Sequence, residues 1–396
     1  MSTDFPIDQV RAETPGCASL LHLNNAGAAL APQVVLDAVT EYLHAEARTG
    51  AYRLADERAE ALESVYHHAS ALFGGKPENW AFVESATRAW NAAFSALRFE
   101  PGDRVLTTTA EYPSNMAGLL RAQELQGIEI EVVGDDGDGQ VDVAALESML
   151  DERTRLVSVT HVPTQGGLVN PAEQIGALLR DTPVLYQVDA CQSVGQLPVT
   201  VEEIGCDILS FTGRKFLRGP RATGMVWASD AALAQMGNPA GVDMRGSTWD
   251  APMTITPLPS ATRFEPYEIF FAGKVGLAAA LEYAAEIGID RIAERIAALS
   301  TQLRDGLDQI PGVGTHDKGI HRSAIVTFSV EGNDPTELQQ QLRHRSINVS
   351  VAVQGSARLD FPDRNLDTLV RASVHYYNSA EEIDTFIATI AELSLR

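Results

Sequence analysis

Two apolar runs carry the pattern that is most informative about chemistry. An acidic residue ends the first run, and a lysine lies just past the second, 26 residues after that acidic residue. The run Val184–Val188 leads into Asp189, and the run Asp207–Phe211 leads into Thr212-Gly213-Arg214-Lys215. In open α/β sheets, ligands collect at the carboxyl ends of strands. A lysine nucleophile with nearby acidic, hydroxyl and arginine groups is the set that an electron-sink cofactor carrying a phosphate requires. The pattern therefore predicts pyridoxal phosphate chemistry.

A third part of such a site is expected upstream, where the phosphate of the cofactor has to be bound. The apolar residues Phe82 and Val83 precede Ser85-Ala86-Thr87, which lies at the predicted start of a helix. The backbone N–H groups and the dipole of a helix N-terminus favour an anion. Taken singly, Ser85 and Asp189 are each explained as helix N-caps. The cofactor interpretation depends on all three parts occurring together.

Lysine is rare in this chain, which narrows the choice of a lysine that binds a cofactor covalently. The sequence contains four lysines, Lys76, Lys215, Lys274 and Lys318. Lys215 follows an apolar run and lies between glycine-containing turns. A lysine side chain shifts its pKa readily when it is buried, and its neutral amine is the nucleophile.

The elements that must position these residues alternate in type along most of the chain. Strand-like runs occur at Ala81–Val83, Arg104–Thr107, Ile128–Val133, Arg155–Thr160, Val184–Val188, Asp207–Phe211 and Gly224–Ala228. Helical spacing occurs at Pro32–Arg48, Ala55–Phe73, Thr87–Leu97, Asn115–Gln126, Asp142–Leu150 and Pro171–Arg180. This alternation predicts an α/β fold with a large, doubly wound and mostly parallel sheet.

The pattern changes after Phe270 and predicts a smaller α+β domain at the C-terminal end. Two long helices are expected at Gly273–Ile287 and Ile289–Ile310, with Arg304 of the second facing solvent. Strands at Ala324–Val330, Asn348–Val351 and Leu369–Val374 and a helix at Glu381–Leu395 follow. We expect residues 21–270 to form the large domain, and residues 1–20 with 271–396 to form the small one.

Composition excludes several classes of function. The 396 residues include 53 acidic and 30 basic ones, for a net charge of −23. Such a surface repels nucleic acid and anionic lipid. The sequence shows no signal peptide and no membrane-spanning run. Its three cysteines, Cys17, Cys191 and Cys206, are widely separated, and its histidines are scattered, so we expect a cytoplasmic protein without a metal site.

Across nearly its whole length the chain resembles the class V aminotransferase-like family of fold-type I pyridoxal phosphate enzymes. The motifs that carry the resemblance are Ser85-Ala86-Thr87, Asp189 with Gln192, and Thr212-Gly213-Arg214-Lys215. The resemblance implies that Lys215 binds the cofactor covalently and that Asp189 pairs with its ring nitrogen. It also implies cofactor contacts from a further set of residues: Ser85, Ala86, Thr87, the amide of Arg88, Tyr112, Thr164, Gln192, Thr212 and Arg214.

The resemblance also suggests residues that contact the substrate or a second subunit. Arg371, in Val370-Arg371-Ala372-Ser373, is similar to the family arginine that binds the substrate α-carboxylate. Asn25, Tyr52 and Arg358 are further candidates for substrate contact. A homodimer with active sites at the interface is implied, with the loop at Gly246 reaching the phosphate of the neighbouring subunit. Asn115 matches a family asparagine.

Several activities within the family stay open, and the motifs around Lys215 and Arg371 look most similar to hercynylcysteine sulfoxide lyase-type C–S lyases. A desulfurase needs a mobile cysteine ahead of the carboxylate arginine, and Val351–Phe361 contains none. We therefore expect β-elimination on a cysteine S-conjugate or its S-oxide, as in ergothioneine-like sulfur metabolism. The alternatives are an epimerase, decarboxylative deamination, a cysteine desulfurase or a selenocysteine lyase. A more remote alternative is a non-catalytic module for protein interaction.

Overall fold

The structure is a computed structural model that describes residues 5–395. Its α-helices are Ile7–Ala12 (α1), Gln33–Thr49 (α2), Ala51–Glu57 (α3), Ala59–Phe73 (α4), Ala86–Ala96 (α5), Pro113–Gln126 (α6), Val143–Met149 (α7), Ala172–Leu179 (α8), Val201–Ile204 (α9), Asp230–Gln235 (α10), Phe271–Ile287 (α11), Ile289–Asp308 (α12), Pro335–His344 (α13) and Ala380–Ser394 (α14). Its strands are Leu21–His22 (β1), Trp80–Val83 (β2), Arg104–Thr108 (β3), Glu129–Val133 (β4), Thr154–Thr160 (β5), Leu185–Asp189 (β6), Ile208–Thr212 (β7), Gly224–Ala228 (β8), Ser247–Ala251 (β9), Thr254–Pro257 (β10), Val313–Thr315 (β11), Ile325–Val330 (β12), Ile347–Asn348 (β13), Ser350–Val353 (β14) and Thr368–Ser373 (β15).

A seven-stranded sheet of order β2-β8-β7-β6-β5-β3-β4 forms the centre of the fold. The neighbouring strands from β7 to β4 run parallel, and β8 is antiparallel to both of its neighbours. Strand order reverses between β3 and β5, so the carboxyl ends of these strands border the crevice where such sheets bind ligands. The predicted α/β class with a mostly parallel sheet is confirmed.

The inner strands of the sheet are covered on both faces, as is usual for parallel strands, and the edge strand β4 is partly exposed. Strands β2, β3, β6, β7 and β8 are buried at every position. One apolar cluster packs the sheet against α4, α8 and α11, and a second packs it against α5 and α6. The predicted helix Ala55–Phe73 is interrupted at Arg58, which separates α3 from α4.

A four-stranded antiparallel sheet of order β11-β12-β15-β14 forms the C-terminal part. Helices α12 and α14 pack together, and the apolar faces of α12, α13 and α14 share one core with this sheet. The expected exposure of Arg304 is wrong: its guanidinium is buried and lies 2.8 Å from a carboxylate oxygen of Asp317. The division at residues 20 and 270 stays a prediction. Contacts cross both boundaries: strand β1 pairs in parallel with β13 of the C-terminal part, and α11, which follows residue 270, packs on α2 and α4.

The hairpin formed by β9 and β10 is an element that the sequence pattern did not predict. Its apolar side chains point outward, with Trp249 66% exposed, Met253 96% and Ile255 45%. Among residues 5–395, no helix is long and apolar enough to cross a membrane.

Candidate functional site

A cleft of about 620 Å³, measured out to its mouth, lies at the carboxyl ends of the central strands. Its lining brings together the three motifs that the sequence analysis singled out. The lining residues are Ser85, Ala86, Thr87, Tyr112, Asn115, Thr160, Val162, Thr164, Asp189, Cys191, Gln192, Thr212, Arg214 and Lys215.

Asp189 is the last residue of β6, and its carboxylate is buried and held in one orientation. Its Oδ1 accepts from the backbone N–H of Cys191 at 2.9 Å, and its Oδ2 accepts from Nδ2 of Asn115 at 2.9 Å. Among residues 5–395, no lysine, arginine or histidine forms a salt bridge with Asp189. A buried carboxylate without a cation is costly, so this arrangement suits a cationic or proton-bearing ligand.

Lys215 follows β7 and lies buried in the same cleft. Burial lowers the pKa of its ammonium, while the neighbouring Cys191 and Asp189 raise that pKa to a smaller extent. The nearby cations Arg214 and Arg371 lower it further. A depressed pKa increases the neutral fraction of the amine, which is the nucleophilic and proton-accepting form.

The turn that carries Lys215 is fixed by Arg218, three residues further along the chain. The backbone N–H of Arg218 donates to the Lys215 carbonyl at 2.9 Å, and Arg218 adopts a left-handed φ of 62°. Its fully buried guanidinium donates to the Tyr376 hydroxyl at 2.8 Å and stacks on the rings of Tyr376 and Tyr377. The lysine turn is thereby tied to the C-terminal part of the fold.

The predicted anion cradle forms at the N-terminus of α5. Ser85 caps this helix, since its Oγ accepts from the backbone N–H of Arg88 at 3.2 Å. The N–H groups of Ala86 and Thr87 lie in the first turn, where a helix offers them no acceptor. Gly224 of β8 makes this approach possible, because a Cβ there would lie 2.7 Å from the Ser85 carbonyl carbon.

The side chains of Thr212 and Arg214 complete the cradle on the β7 side. Nη1 of Arg214 donates to Oγ1 of Thr212 at 3.0 Å. Both residues line the cleft together with the first turn of α5. The Thr212 hydroxyl itself donates to the Thr223 carbonyl at 3.1 Å and so orients Arg214. Two N–H groups, the Thr87 hydroxyl and the Arg214 guanidinium form a donor set that suits a phosphate.

Gln192 and Thr164 lie at another wall of the cleft. Nε2 of Gln192 donates to the Ala26 carbonyl at 3.1 Å and to Oγ1 of Thr164 at 3.3 Å. Oε1 of Gln192 is buried and has no hydrogen-bond partner in the described part of the chain. A buried polar atom without a partner indicates that a ligand or water completes the site.

Arg371 of β15 reaches this wall from the C-terminal part. Its Nη1 donates to the carbonyl of Thr164 at 2.9 Å and to Oγ1 of Thr164 at 2.7 Å, and its Nη2 lies 3.4 Å from Oδ1 of Asn24. The Nε atom is buried and has no acceptor within residues 5–395. Burial lowers the pKa of the guanidinium to about 10. Because no carboxylate of the described chain pairs with it, Arg371 suits an anionic group of a substrate.

Replacing Arg371 by alanine tests this assignment. We expect KM for an amino-acid substrate to rise by about ten- to a hundredfold, because a hydrogen bond to a charged group contributes roughly 1.5–3 kcal/mol. Steady-state kinetics measures this, with Arg345→Ala as the control, since Arg345 pairs with Glu392 at the surface. An unchanged KM in the Arg371 variant would contradict the role.

Six of the predicted residues do not line this cleft in the single chain: Arg371, which contacts its wall through Thr164, and the five that follow. The amide of Arg88 is already bonded to Ser85, and its side chain lies 4.0 Å from Glu84. The side chain of Asn25 is buried and is used by Tyr377 and by the carbonyl of Ser373. The other three lie elsewhere: Tyr52 is 75% exposed, Arg358 is exposed on Gln354, and Gly246 packs against Arg263.

Two residues that the sequence argument did not single out contribute to the site. Thr160, the last residue of β5, lines the cleft, and Glu111 lies directly behind it. Oγ1 of Thr160 donates to Oε1 of Glu111 at 2.7 Å. The sequence did contain a signal for both residues. Glu111 follows an apolar run and Thr160 ends one, and both runs end at the same edge of the sheet as Asp189.

The donor set fits pyridoxal phosphate. The cradle at α5 and Arg214 suits the phosphate, and Asp189 suits a protonated ring nitrogen. The side-chain amine of Lys215 makes no hydrogen bond within the described residues and is free to bind an aldehyde carbon. Tyr112 lines the same cleft, where its ring can contact a flat ligand.

Comparisons with known proteins agree with this geometry. The profile of the family described as Aminotransferase class-V matches residues 21–386. A protein named probable cysteine desulfurase from Methanothermobacter thermautotrophicus is 29% identical, over 98% of each chain. The apo structure of cysteine desulfurase from Thermococcus onnurineus NA1 superposes with a TM-score of 0.91 at 26% identity, covering 100% of this chain and 99% of that one. A complex of the cystine C–S lyase C-DES with its reaction product cysteine persulfide superposes with a TM-score of 0.85 at 25% identity, covering 96% and 99%.

Proposed function

Since the chain belongs to the aminotransferase class-V family of pyridoxal phosphate enzymes, we propose that it is a carbon–sulfur lyase acting on a cysteine-derived amino acid. The reaction is β-elimination on a cysteine S-conjugate or its S-oxide. A thiol or sulfenate leaves, and the amino acid becomes pyruvate and ammonia. A sulfoxide is the more favourable substrate, because a sulfenate leaves with less acid assistance than the thiolate of a thioether.

The observation that carries this proposal is the lack of a suitable sulfur nucleophile. Residues 351–366 contain no cysteine. The segment is also anchored, because Asp360 accepts from Arg364 at 3.0 Å and lies 2.7 Å from the ammonium of Lys318. A persulfide carrier must be a mobile and exposed thiolate. This segment supplies no sulfur, and Asp360 ties it to Lys318 outside the segment.

The three cysteines of the chain do not replace it. Cys206 is buried beside the amino end of β7, and Cys17 is half-buried in the turn that follows α1. Cys191 lines the cleft, where burial raises the pKa of its thiol and the charge of Asp189 raises it further. A thiol with a raised pKa is a poor nucleophile at neutral pH.

The side chains of the cleft can perform the steps of an elimination. Bound pyridoxal phosphate supplies an electron sink for the charge left at the substrate α-carbon. Arg371 holds the substrate carboxylate, and the amine of Lys215 takes the α-proton as a general base. The negative charge of Asp189 keeps a proton on the ring nitrogen. The sulfur group then leaves with the electron pair of the C–S bond, and water converts the remaining fragment to pyruvate and ammonia.

A second candidate is cysteine desulfurase, because the curated relatives carry that name over 98% of the chain. In that case Cys191, the cysteine that lines the cleft, is the available sulfur acceptor. The comparisons support this candidate more than the lyase, and the lyase is favoured instead by the raised pKa of Cys191 and by the lack of a cysteine in residues 351–366.

An assay of purified protein loaded with pyridoxal phosphate separates the two candidates. The substrates are free cysteine, S-alkyl cysteines, their sulfoxides and hercynylcysteine sulfoxide, and pyruvate is measured for wild type and Cys191→Ser. We expect pyruvate from conjugates, little product from free cysteine, and the same rates in both proteins. Alanine formed from free cysteine, and lost in Cys191→Ser, would support the desulfurase instead.

The proposal includes a homodimer. The hairpin of β9 and β10 exposes Trp249, Met253 and Ile255, and exposed apolar groups clustered on one element are typical of an interaction surface. Gly246, at the base of this hairpin, is the residue that the family resemblance assigns to the neighbouring phosphate site. Sedimentation velocity should give a dimer at micromolar concentration, and a monomer would contradict this part of the proposal.

A further inference from the structure

Glu111 is a buried carboxylate at the sheet edge that borders the cleft, and the steps described above do not use it. It is 6% exposed and forms no salt bridge with a cation of residues 5–395. Five donors from three elements converge on it instead. They are Oγ1 of Thr107 (2.8 Å), the N–H of Tyr112 (2.7 Å), Nδ2 of Asn115 (3.0 Å), Oγ of Ser158 (3.2 Å) and Oγ1 of Thr160 (2.7 Å).

Asn115 connects this carboxylate to Asp189. Its Nδ2 donates to Oε1 of Glu111 at 3.0 Å and to Oδ2 of Asp189 at 2.9 Å. An amide nitrogen has two hydrogens, so these two bonds use both of them. The position of Asn115, and with it one oxygen of Asp189, is therefore set by where Glu111 lies.

Glu111 also fixes the start of α6. Its Oε1 accepts from the backbone N–H of Tyr112, whose ring lines the cleft, and Thr160 contacts both residues. Burial raises the pKa of Glu111, the hydrogen bonds from Thr160, Asn115 and Thr107 oppose that shift, and the charge of Asp189 adds to it. Burying a carboxylate is costly, but a hydrogen-bond network in which every polar group has a partner holds one geometry. The network around Glu111 is therefore consistent with a positioning function.

We infer that Glu111 is a positioning residue for the cofactor. It acts through Asn115 to orient the carboxylate of Asp189 toward the ring nitrogen of pyridoxal phosphate, and through the Tyr112 amide to place the aromatic side chain of the cleft. This inference concerns cofactor binding alone. It can fail while the proposed lyase reaction stands, and it can hold if the reaction proves to be a different one.

The test measures the dissociation constant of pyridoxal phosphate for the apo forms of wild type, Glu111→Ala, Asn115→Leu and the double variant. We expect each single variant to bind the cofactor about tenfold more weakly, by analogy with the outer-shell partners of metal ligands. In the double variant, the loss of affinity should be smaller than the product of the two single losses, since both changes break the contact through Asn115 and only Glu111→Ala also breaks the one to the Tyr112 amide. Independent, multiplying effects would overturn the inference.

Glu111→Gln distinguishes a role in positioning Asn115 and Tyr112 from a role in fold stability alone. Its Oε1 can accept from Tyr112, Asn115 and Thr160, and its Nε2 can donate to the rotatable hydroxyls of Thr107 and Ser158. We therefore expect its cofactor affinity to stay within about threefold of wild type. Affinity as weak as that of Glu111→Ala would contradict the inference.

Asp207→Ala is the matched control, because Asp207 accepts from Tyr186 and Ser229 at the opposite edge of the same sheet. We expect it to lower the melting temperature and leave cofactor affinity unchanged. If Glu111→Ala behaves in the same way, Glu111 is only structural and the inference is wrong. If Glu111→Ala does not fold, Asn115→Leu decides, since unchanged affinity in that variant contradicts the inference.

Discussion

Replacing Lys215 by alanine lowers turnover by at least about 1,000-fold, the range expected when a general base and covalent nucleophile are lost together. The variant also lacks the visible absorbance that the cofactor shows when it is bound covalently to a lysine. The physical reason is that Lys215 combines burial, a lowered pKa and a place in the cleft opposite Asp189. Absorbance spectra and initial rates of the purified variant measure both effects.

Lys76→Ala is the control for this experiment, because Lys76 is an exposed lysine paired with Asp230. It should retain the spectrum and rate of wild type. Full activity in the Lys215 variant, or loss of the spectrum in the Lys76 variant, would contradict the assignment of the covalent lysine.

Replacing Asp189 by asparagine is expected to lower kcat by about 100-fold or more, the effect of removing one preorganised charge from an active site. The neutral side chain no longer favours a proton on the ring nitrogen of the cofactor, so the charge at the α-carbon is less well stabilised. It also places an amide where Oδ2 now accepts from Asn115. Single-turnover kinetics at saturating cofactor measures the change apart from any loss of cofactor affinity.

Asp207→Asn serves as the control for Asp189→Asn. Asp207 is a partly buried carboxylate just ahead of β7, at the end of the sheet away from the cleft. Burial raises its pKa, so neutralising it costs the folded protein little. We expect normal kcat in this control, and an equal loss in both variants would show that the effect is one of general stability.

The central sheet and the main site residues could be predicted because local sequence determines them. The runs that became β2 to β8 are short and rich in apolar residues, and each was located to within two residues. Asp189 and Lys215 follow such runs, and parallel strands bring their carboxyl ends together. Ser85 was identified as an N-cap from its place ahead of a helix, and its side chain does cap α5.

The features that could not be predicted depend on contacts between distant segments. Arg304 falls on a helical face that looks polar, and its burial is explained by Asp317, which lies in the loop between β11 and β12. Asn25 looks available in the sequence, yet Tyr377 and Ser373, about 350 residues away, use its side chain. The role of Glu111 depends on donors from β3, β5 and α6, which no local pattern joins.

The identity of the three-carbon product formed from an S-alkyl cysteine sulfoxide tests the central claim most directly. The measurement uses wild-type protein loaded with pyridoxal phosphate and quantifies pyruvate, ammonia, alanine and solvent deuterium at the α-carbon of recovered substrate. We expect pyruvate and ammonia in equal amounts, with one released sulfur group for each pyruvate. Alanine as the main product, or deuterium exchange without pyruvate, would contradict it.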